Sequence, residues 1–182
     1  TGRVDGSPLA VAGVAPKSLI VSVGGTAIAS GTDLENRAAS PGSAVTVEYY
    51  FKGSLKSVSD VVDGVVVAYV AEDFAAYNSG MRTGMVLVSL NDTPMLNLGA
   101  LTDAMGMARA GQTVSVTVMS LNHTSESFEV NSSITSVTLS DKWNYYDKFD
   151  SSNNLDSYHG VAYLGGGFLP LGVDYSNVTL YS

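Results

Sequence analysis

Apolar residues recur at every second position at Leu19, Val21 and Val23, and again at Val86, Val88 and Leu90, the period of a β-strand. The run Gly64-Val65-Val66-Val67-Ala68-Tyr69-Val70 is apolar almost without a break, which predicts a strand buried on both faces. Between Leu98 and Met107 the period changes, and Leu101, Ala104 and Met105 fall at the i, i+3, i+4 spacing of one helical face. The stretch from Glu126 to Leu139 alternates again and predicts two strands around Asn131-Ser132-Ser133. Lys142 to Phe149 is an aromatic and charged stretch of helix or loop.

The pattern occurs twice. Gly13 to Ile28 aligns with Gly80 to Met95 at an offset of 67 residues (80 minus 13), with Leu19, Val21 and Val23 on Val86, Val88 and Leu90. The turn pair Gly24-Gly25 falls on Asn91-Asp92. Thr32 to Ala39 then matches Gly99 to Gly106, and Gly42 to Val47 matches Gly111 to Val116 after a two-residue slip. Each unit reads as a small-residue helical turn closed by Gly13 or Gly80, a strand, a tight turn, an amphipathic helix, a glycine turn and a final strand. The second unit carries an additional strand at its start, Gly64 to Val70, followed by a helical turn at Asp73 to Ser79. Its counterpart in the first unit would precede residue 1, so that unit is read as incomplete or as borrowing a strand from elsewhere. The expected organisation is a first unit over 1–57, a second over 58–122 and a β-rich extension over 123–182.

Composition bears on chemistry more than on fold. With 182 residues, 45% of them hydrophobic, the chain can bury one sizeable core or two small ones. Charged residues make up only 14% and glycines number 19, a balance common in β-rich extracellular modules. The net charge of −8 repels phosphate backbones and anionic lipid headgroups. No cluster of Lys and Arg overrides it along the chain, so nucleic-acid binding is excluded. The absence of cysteine removes disulfide frameworks, thiolate nucleophiles and cysteine zinc sites while leaving the compartment open. No apolar run approaches the roughly 20 residues of a membrane-spanning helix. The start, Thr1 to Asp5, lacks the basic and apolar regions of a targeting signal, so any such signal is expected outside this chain. Asn91, Asn122, Asn131 and Asn177 begin Asn-x-Ser/Thr triplets and are glycosylation candidates pointing to an exported setting; a chain rich in Asn, Ser and Thr also generates such triplets by chance.

The succession Gly64-Val-Val-Val, a small-residue segment ending at Gly80-Met81, Val86 to Pro94, a helix containing Ala100-Leu101 and Gly111 to Val118 resembles a bacterial-type PDZ domain. The match covers Gly64 to about Asn122, and a weaker copy covers about Asp5 to Gly53 with Lys17 where such domains carry Gly. The resemblance implies a mainly β fold with short helices (α+β): two PDZ-like units in tandem, the first incomplete at its N-terminus, plus the C-terminal extension. It also implies a groove between a sheet edge and a helix in which an extended peptide adds as a further strand. Leu101, Ala104 and Met105 would line that groove; helical spacing equally allows all three to face the core. PDZ domains receive the ligand's terminal carboxylate in a loop of the Leu-Gly type, and none precedes Gly64. The candidate lies in the tail, at Tyr163-Leu164-Gly165-Gly166, where the alternative is a glycine-rich turn leaving a β-strand.

Catalytic motifs are missing. The two histidines, His123 and His159, form no His-Glu-x-x-His zinc motif, and there is no Gly-x-Ser-x-Gly elbow or phosphate-binding loop. The acidic run Asp147 to Asp156 departs from a calcium loop, with Leu155 at the required glycine and Val161 at the terminal glutamate. The arrangement of PDZ-like units and a tail ending in Pro170-Leu171-Gly172-Val173 resembles the extramembrane region of archaeal-type site-2 proteases, which are membrane-embedded zinc metalloproteases. That resemblance implies a non-catalytic, peptide-binding or substrate-filtering module on the extracytoplasmic face of a membrane. It would be attached through helices outside these residues, with zinc and catalysis in the parent membrane domain and no cofactor in this chain. Its partner would be a substrate segment or the protein's own tail. The PDZ pair of an HtrA-type serine protease, or a secreted scaffolding or adhesion module, are the alternatives, and the oligomeric state stays open.

Overall fold

The computed structural model describes residues 2–144 and 160–174. The first half contains β1 (Gly2–Arg3), α1 (Pro8–Val11), β2 (Leu19–Val23), β3 (Thr26–Ala27), α2 (Gly31–Asn36), β4 (Ala44–Phe51) and β5 (Ser54–Val62). The second contains β6 (Val65–Val70), α3 (Ala75–Ser79), β7 (Val86–Leu90), β8 (Thr93–Pro94), α4 (Leu98–Met107), β9 (Thr113–Asn122), β10 (Ser127–Val130) and β11 (Ser136–Thr138). Four short strands complete the tail: β12 (Ser140–Asp141), β13 (Ala162–Tyr163), β14 (Gly166–Pro170) and β15 (Val173–Asp174). The fold is mainly β with short helices, and its sheets are open rather than closed into a barrel.

Local signals account for the elements. Ser7 caps α1, accepting the Ala10 N–H, and Pro8 supplies a φ already suited to the first helical turn. Asn97 caps α4 in the same way, its Oδ1 accepting the Ala100 N–H at 2.8 Å. Gly80, at φ 103°, ends α3 in the left-handed region that a side chain disfavours. Strand β6 lies between β7 and β14, and Val65, Val66 and Val67 are fully buried, as a two-sided apolar run requires.

Strand pairing follows a like pattern in the two halves. One sheet runs β3-β2-β4-β5; in the other, β7 pairs with β8 and β9, and β9 with β10. Ile20 faces Tyr49 and Val23 faces Val47, as Leu87 faces Val118 and Leu90 faces Val116. Both ladders slip at the equivalent residue, between Ile20 and Ser22 and between Leu87 and Ser89. The skipped residues, Val21 and Val88, each accept a hydrogen bond at 2.9 Å, from Ile28 and Met95. Such a bulge bends the strand at the same place in each half.

Two cores result. Leu9, Ile20, Val23, Leu34 and Val47 form the first, and Val65, Met81, Leu87, Met95 and Val118 belong to the second. A smaller cluster of Val4, Val62, Val66 and Val86 joins residues of both halves. The tail threads both: Ala162 and Leu164 enter the second core, Leu171 and Val173 the first. The boundary expected between 57 and 58 falls inside β5, because hairpin pairing with β4 carries that strand through Val62. Beyond Asn122, β10 and β11 continue the second sheet by pairing with β9.

Candidate functional site

β14 ends the second sheet. One edge pairs with β6, from Gly166 opposite Val70 to Pro170 opposite Val65, and the other has no strand partner among the described residues. α4 packs against β13 and β14, so the helix and the free edge border the same surface. Leu101 lies in the core beneath that surface and is 8% exposed. Ala104 and Met105 are half-buried against the same apolar cluster, in which Leu164 is buried. Leu101 anchors the helix in the core, and Ala104 lines a small pocket with Leu90, Asn91 and Val114. Leu98 and Phe168 pack against the cluster as well and escaped the sequence reading. The signal for Phe168 was its position in an apolar run just after glycines, a pattern of strand entry rather than strand exit.

The Leu164-Gly165 bend is anchored by its carbonyls. Leu164 O accepts the Ala76 N–H at 2.8 Å, and Gly165 O accepts the Ala71 N–H at 2.7 Å. Among the described residues neither the Leu164 nor the Gly165 N–H has an acceptor. Two consecutive unpaired N–H groups at the head of a free strand edge can receive a carboxylate. Gly165 is at φ 77°, and a Cβ there would stand 2.3 Å from the Phe74 Cβ. At Gly167 a Cβ would meet the Tyr69 ring at 2.1 Å, so these glycines let β14 lie close on β6. Gly166 is the first residue of β14. Tyr163 turns elsewhere, its ring edge-on to Phe74 at 6.2 Å, where it supports the bend from behind. At the C-terminal end of α4 lies a pocket of about 360 Å³ lined by Met105, Met107, Arg109, Gly160 and Val161.

A second Leu-Gly bend follows at Leu171-Gly172. Gly172, at φ 74°, accepts the Val4 N–H at 2.9 Å, the position equivalent to Ala71 in the repeat. Here the amides are engaged: Leu171 N–H donates to Gly64 O at 2.9 Å, and Gly172 N–H to Leu169 O at 3.1 Å.

Three of the glycosylation candidates, Asn91, Asn122 and Asn131, sit in a turn or at strand ends. Asn91 is exposed in the β7–β8 turn. Asn122 is exposed, and its Nδ2 donates to Glu129 at 2.9 Å; the half-buried Asn131 donates to Ser120 at 3.1 Å. The Asn122 and Ser125 side chains hold the Glu129 carboxyl below its ordinary range by hydrogen-bonding its charged form. His123 is exposed in the β9–β10 turn. His159, Asn177 and the Asp147–Asp156 run lie outside the described residues. Among the described residues no three His, Cys, Asp or Glu side chains gather as metal ligands, and no helix is long and apolar enough to cross a membrane.

Comparison with known proteins bears on the second half. The sequence profile of the PDZ domain family matches residues 55–131, from β5 to just past β10. No curated protein matches the chain. Among solved structures, the PDZ domain of an SdrC-like protein from Listeria monocytogenes is similar over 59% of this chain and 90% of its own, at 17% identity and a TM-score of 0.39. This chain contains a PDZ domain, a module that generally binds peptide or protein segments and is generally non-catalytic.

Proposed function

We propose that the PDZ domain captures an extended peptide in the slot between the free edge of β14 and α4, with the peptide's terminal carboxylate on the Leu164 and Gly165 N–H groups. The observation that carries this reading is the pair of unengaged amides at the head of an unpaired strand edge. Phe168, Leu101, Ala104 and Met105 offer only apolar surface, so the ligand's last side chain is apolar. The site residues are then Leu101, Ala104, Met105, Leu164, Gly165 and Gly166, with Tyr163 as a support. Fluorescence anisotropy with a C-terminal peptide library tests it. Peptides ending in Val, Leu or Ile should bind, amidating their C-terminus should weaken binding about tenfold or more, since hydrogen bonds to charged groups contribute about 1.5–3 kcal/mol, and Ala104→Asp should abolish it. Equal binding by free and amidated peptides would overturn the assignment.

The first half is, in this reading, a second PDZ-like unit in tandem. Its support is the shared pairing register and the equivalent Gly165 and Gly172 bends. Because Leu171 and Gly172 spend their N–H groups on Gly64 and Leu169, this bend takes no carboxylate in this reading. From the motif resemblance we further propose that the whole is the extracytoplasmic substrate-filtering region of a membrane-embedded zinc metalloprotease, needing no cofactor of its own. Flanking sequence with apolar helices bearing His-Glu-x-x-His would support this placement, and an adjoining Ser-His-Asp protease domain would replace it.

A further inference from the structure

In the first sheet, Leu19 faces Tyr50 and Tyr50 faces Leu55, so three large side chains from β2, β4 and β5 form one cross-strand row. All three are exposed, at 40%, 44% and 54%. The corresponding row in the second sheet is Val86, Met119 and Val130; there Val86 is fully buried beside Val4 and Val62 of the first half, and Met119 packs against the same cluster. The first sheet's row has no such cover among the described residues.

Basic residues gather at the same end of the sheet but on its other face: Tyr49 faces Lys56 and Phe51 faces Ser54, so Phe51 and Lys56 lie across the sheet from Tyr50 and Leu55. Lys52 at the hairpin turn and Lys56 on β5 hold their Nζ atoms 5.3 and 5.9 Å from the Phe51 ring, and the exposed Lys17 precedes β2 at the same end of the sheet. Their separation in sequence, 35 residues from Lys17 to Lys52, hid a cationic cluster that the linear reading had excluded. No acidic residue occurs from Tyr49 to Ser59 or from Lys17 to Thr32. The nearest acid on the outer face, Glu48, accepts a hydrogen bond from Ser22 Oγ at 2.8 Å. The equivalent hairpin of the second half, Asn122-His123-Thr124-Ser125-Glu126-Ser127, has neither lysine nor a large apolar residue, so the fold does not require this tip.

We infer that the β4–β5 tip is a membrane-surface anchor that enters an anionic bilayer end-on: Leu55, Tyr50 and Leu19 on one face reach the interface while Lys52 and Lys56, on the Phe51 side, and Lys17 at the same end meet its headgroups. An apolar hairpin tip flanked by lysine stems suits that boundary, where the stems bury along acyl surface and the ammonium groups stay in water. The excess of acid elsewhere, in a chain of net charge −8, turns the rest of the molecule away and orients the tip downward. This site is separate from the peptide slot and stands or falls independently of it.

Co-sedimentation with phosphatidylcholine vesicles, with and without phosphatidylglycerol, tests the inference. Binding should require phosphatidylglycerol and decline at high salt. Lys52→Glu with Lys56→Glu should lower partitioning by about 30-fold or more, since each lysine near the surface contributes about 1 kcal/mol. Leu55→Ser should lower it about tenfold, and both variants should keep the parent unfolding midpoint and peptide affinity. The chain has no cysteine, so Leu55→Cys can carry an environment-sensitive dye; its emission should shift to the blue on anionic vesicles, while a dye at Thr124→Cys should not respond. Absence of phosphatidylglycerol-dependent binding, or binding unaltered in the variants, overturns the inference. Self-association without vesicles that Leu55→Ser abolishes would instead make a second copy of this chain the occupant.

Discussion

Arg37 and Asp63 form a bidentate ion pair closed to solvent, their side chains 2% and 1% exposed, with Arg37 Nη1 donating to Asp63 Oδ2 at 2.7 Å. The carboxylate also accepts the Ser40 and Gly64 N–H groups at 3.0 and 2.8 Å. It thereby fixes the residue that caps α2 to the β5–β6 junction, where one half of the chain passes into the other. Among the described residues Arg37 Nε finds no partner, so the pair is incompletely satisfied there. A buried pair adds little over a well-packed apolar pair, but removing one member leaves an uncompensated charge. Asp63→Ala should therefore destabilise by about 3–5 kcal/mol. Arg37→Met with Asp63→Leu should recover much of that loss. Urea unfolding midpoints for the two single variants and the double variant check the sign of the coupling.

Gly165 meets two independent constraints: a left-handed backbone and the Phe74 side chain. Gly53, at φ 79°, has the first constraint without the second, since nothing lies within 4 Å of a Cβ there. Gly53→Ala should cost about 1–2 kcal/mol for the left-handed conformation alone. Gly165→Ala should cost clearly more and should also displace the bend, reducing peptide affinity at least tenfold. Equal destabilisation by the two substitutions would show that Phe74 yields freely. Thermal unfolding and peptide titration of both variants make the comparison.

Much of this was legible beforehand because local patterns carry it. The helix over Leu98–Met107 and the strand from Val65 to Val70 follow from periodicity and from the Asn97 cap, all local features. The slot's second wall was harder. β14 lies almost 100 residues from its partner β6, and its glycines look like a turn until Tyr69 and Phe74 are placed against them. Tyr163 was grouped with Leu164 by adjacency, yet neighbouring strand residues point to opposite faces, and only Leu164 enters the cluster with Leu101. The different hydrogen bonding of Gly165 and Gly172 had no sequence signal, since both follow a leucine and differ in what faces their amides.

Glu129 gives a pH prediction of defined sign. Its carboxyl is held below the ordinary range by Asn122 and then Ser125, which favour the ionised form. A depressed folded-state value means the contribution is complete above the unfolded value, about 4.3, and is lost as pH falls through the lower folded value. The group is fully exposed, so the expected effect is on titration rather than on global stability. Carbon-detected NMR should place Glu129 below the ordinary glutamate range, and Asn122→Ala should raise it. A titration unmoved by Asn122→Ala would assign the effect to the serine instead.

The tail connects the two cores through thirteen residues, Ala162 to Asp174, and the two bends divide the work. Leu164 is 4% exposed in the second core and Leu171 fully buried in the first. Truncation of either to Ala should cost about 2–5 kcal/mol, the transfer of the side chain plus the cavity left behind. The losses should differ in place. Leu171→Ala should lower hydrogen-exchange protection first in β2 and β4, around Ile20 and Val47, and leave peptide affinity near the parent value. Leu164→Ala should open β6 and α3, whose Ala76 N–H donates to the Leu164 carbonyl, and should weaken peptide binding as well. If both substitutions lowered protection uniformly over the two sheets, the halves would unfold as one cooperative unit, and the tail would be a shared core element rather than two separate closures.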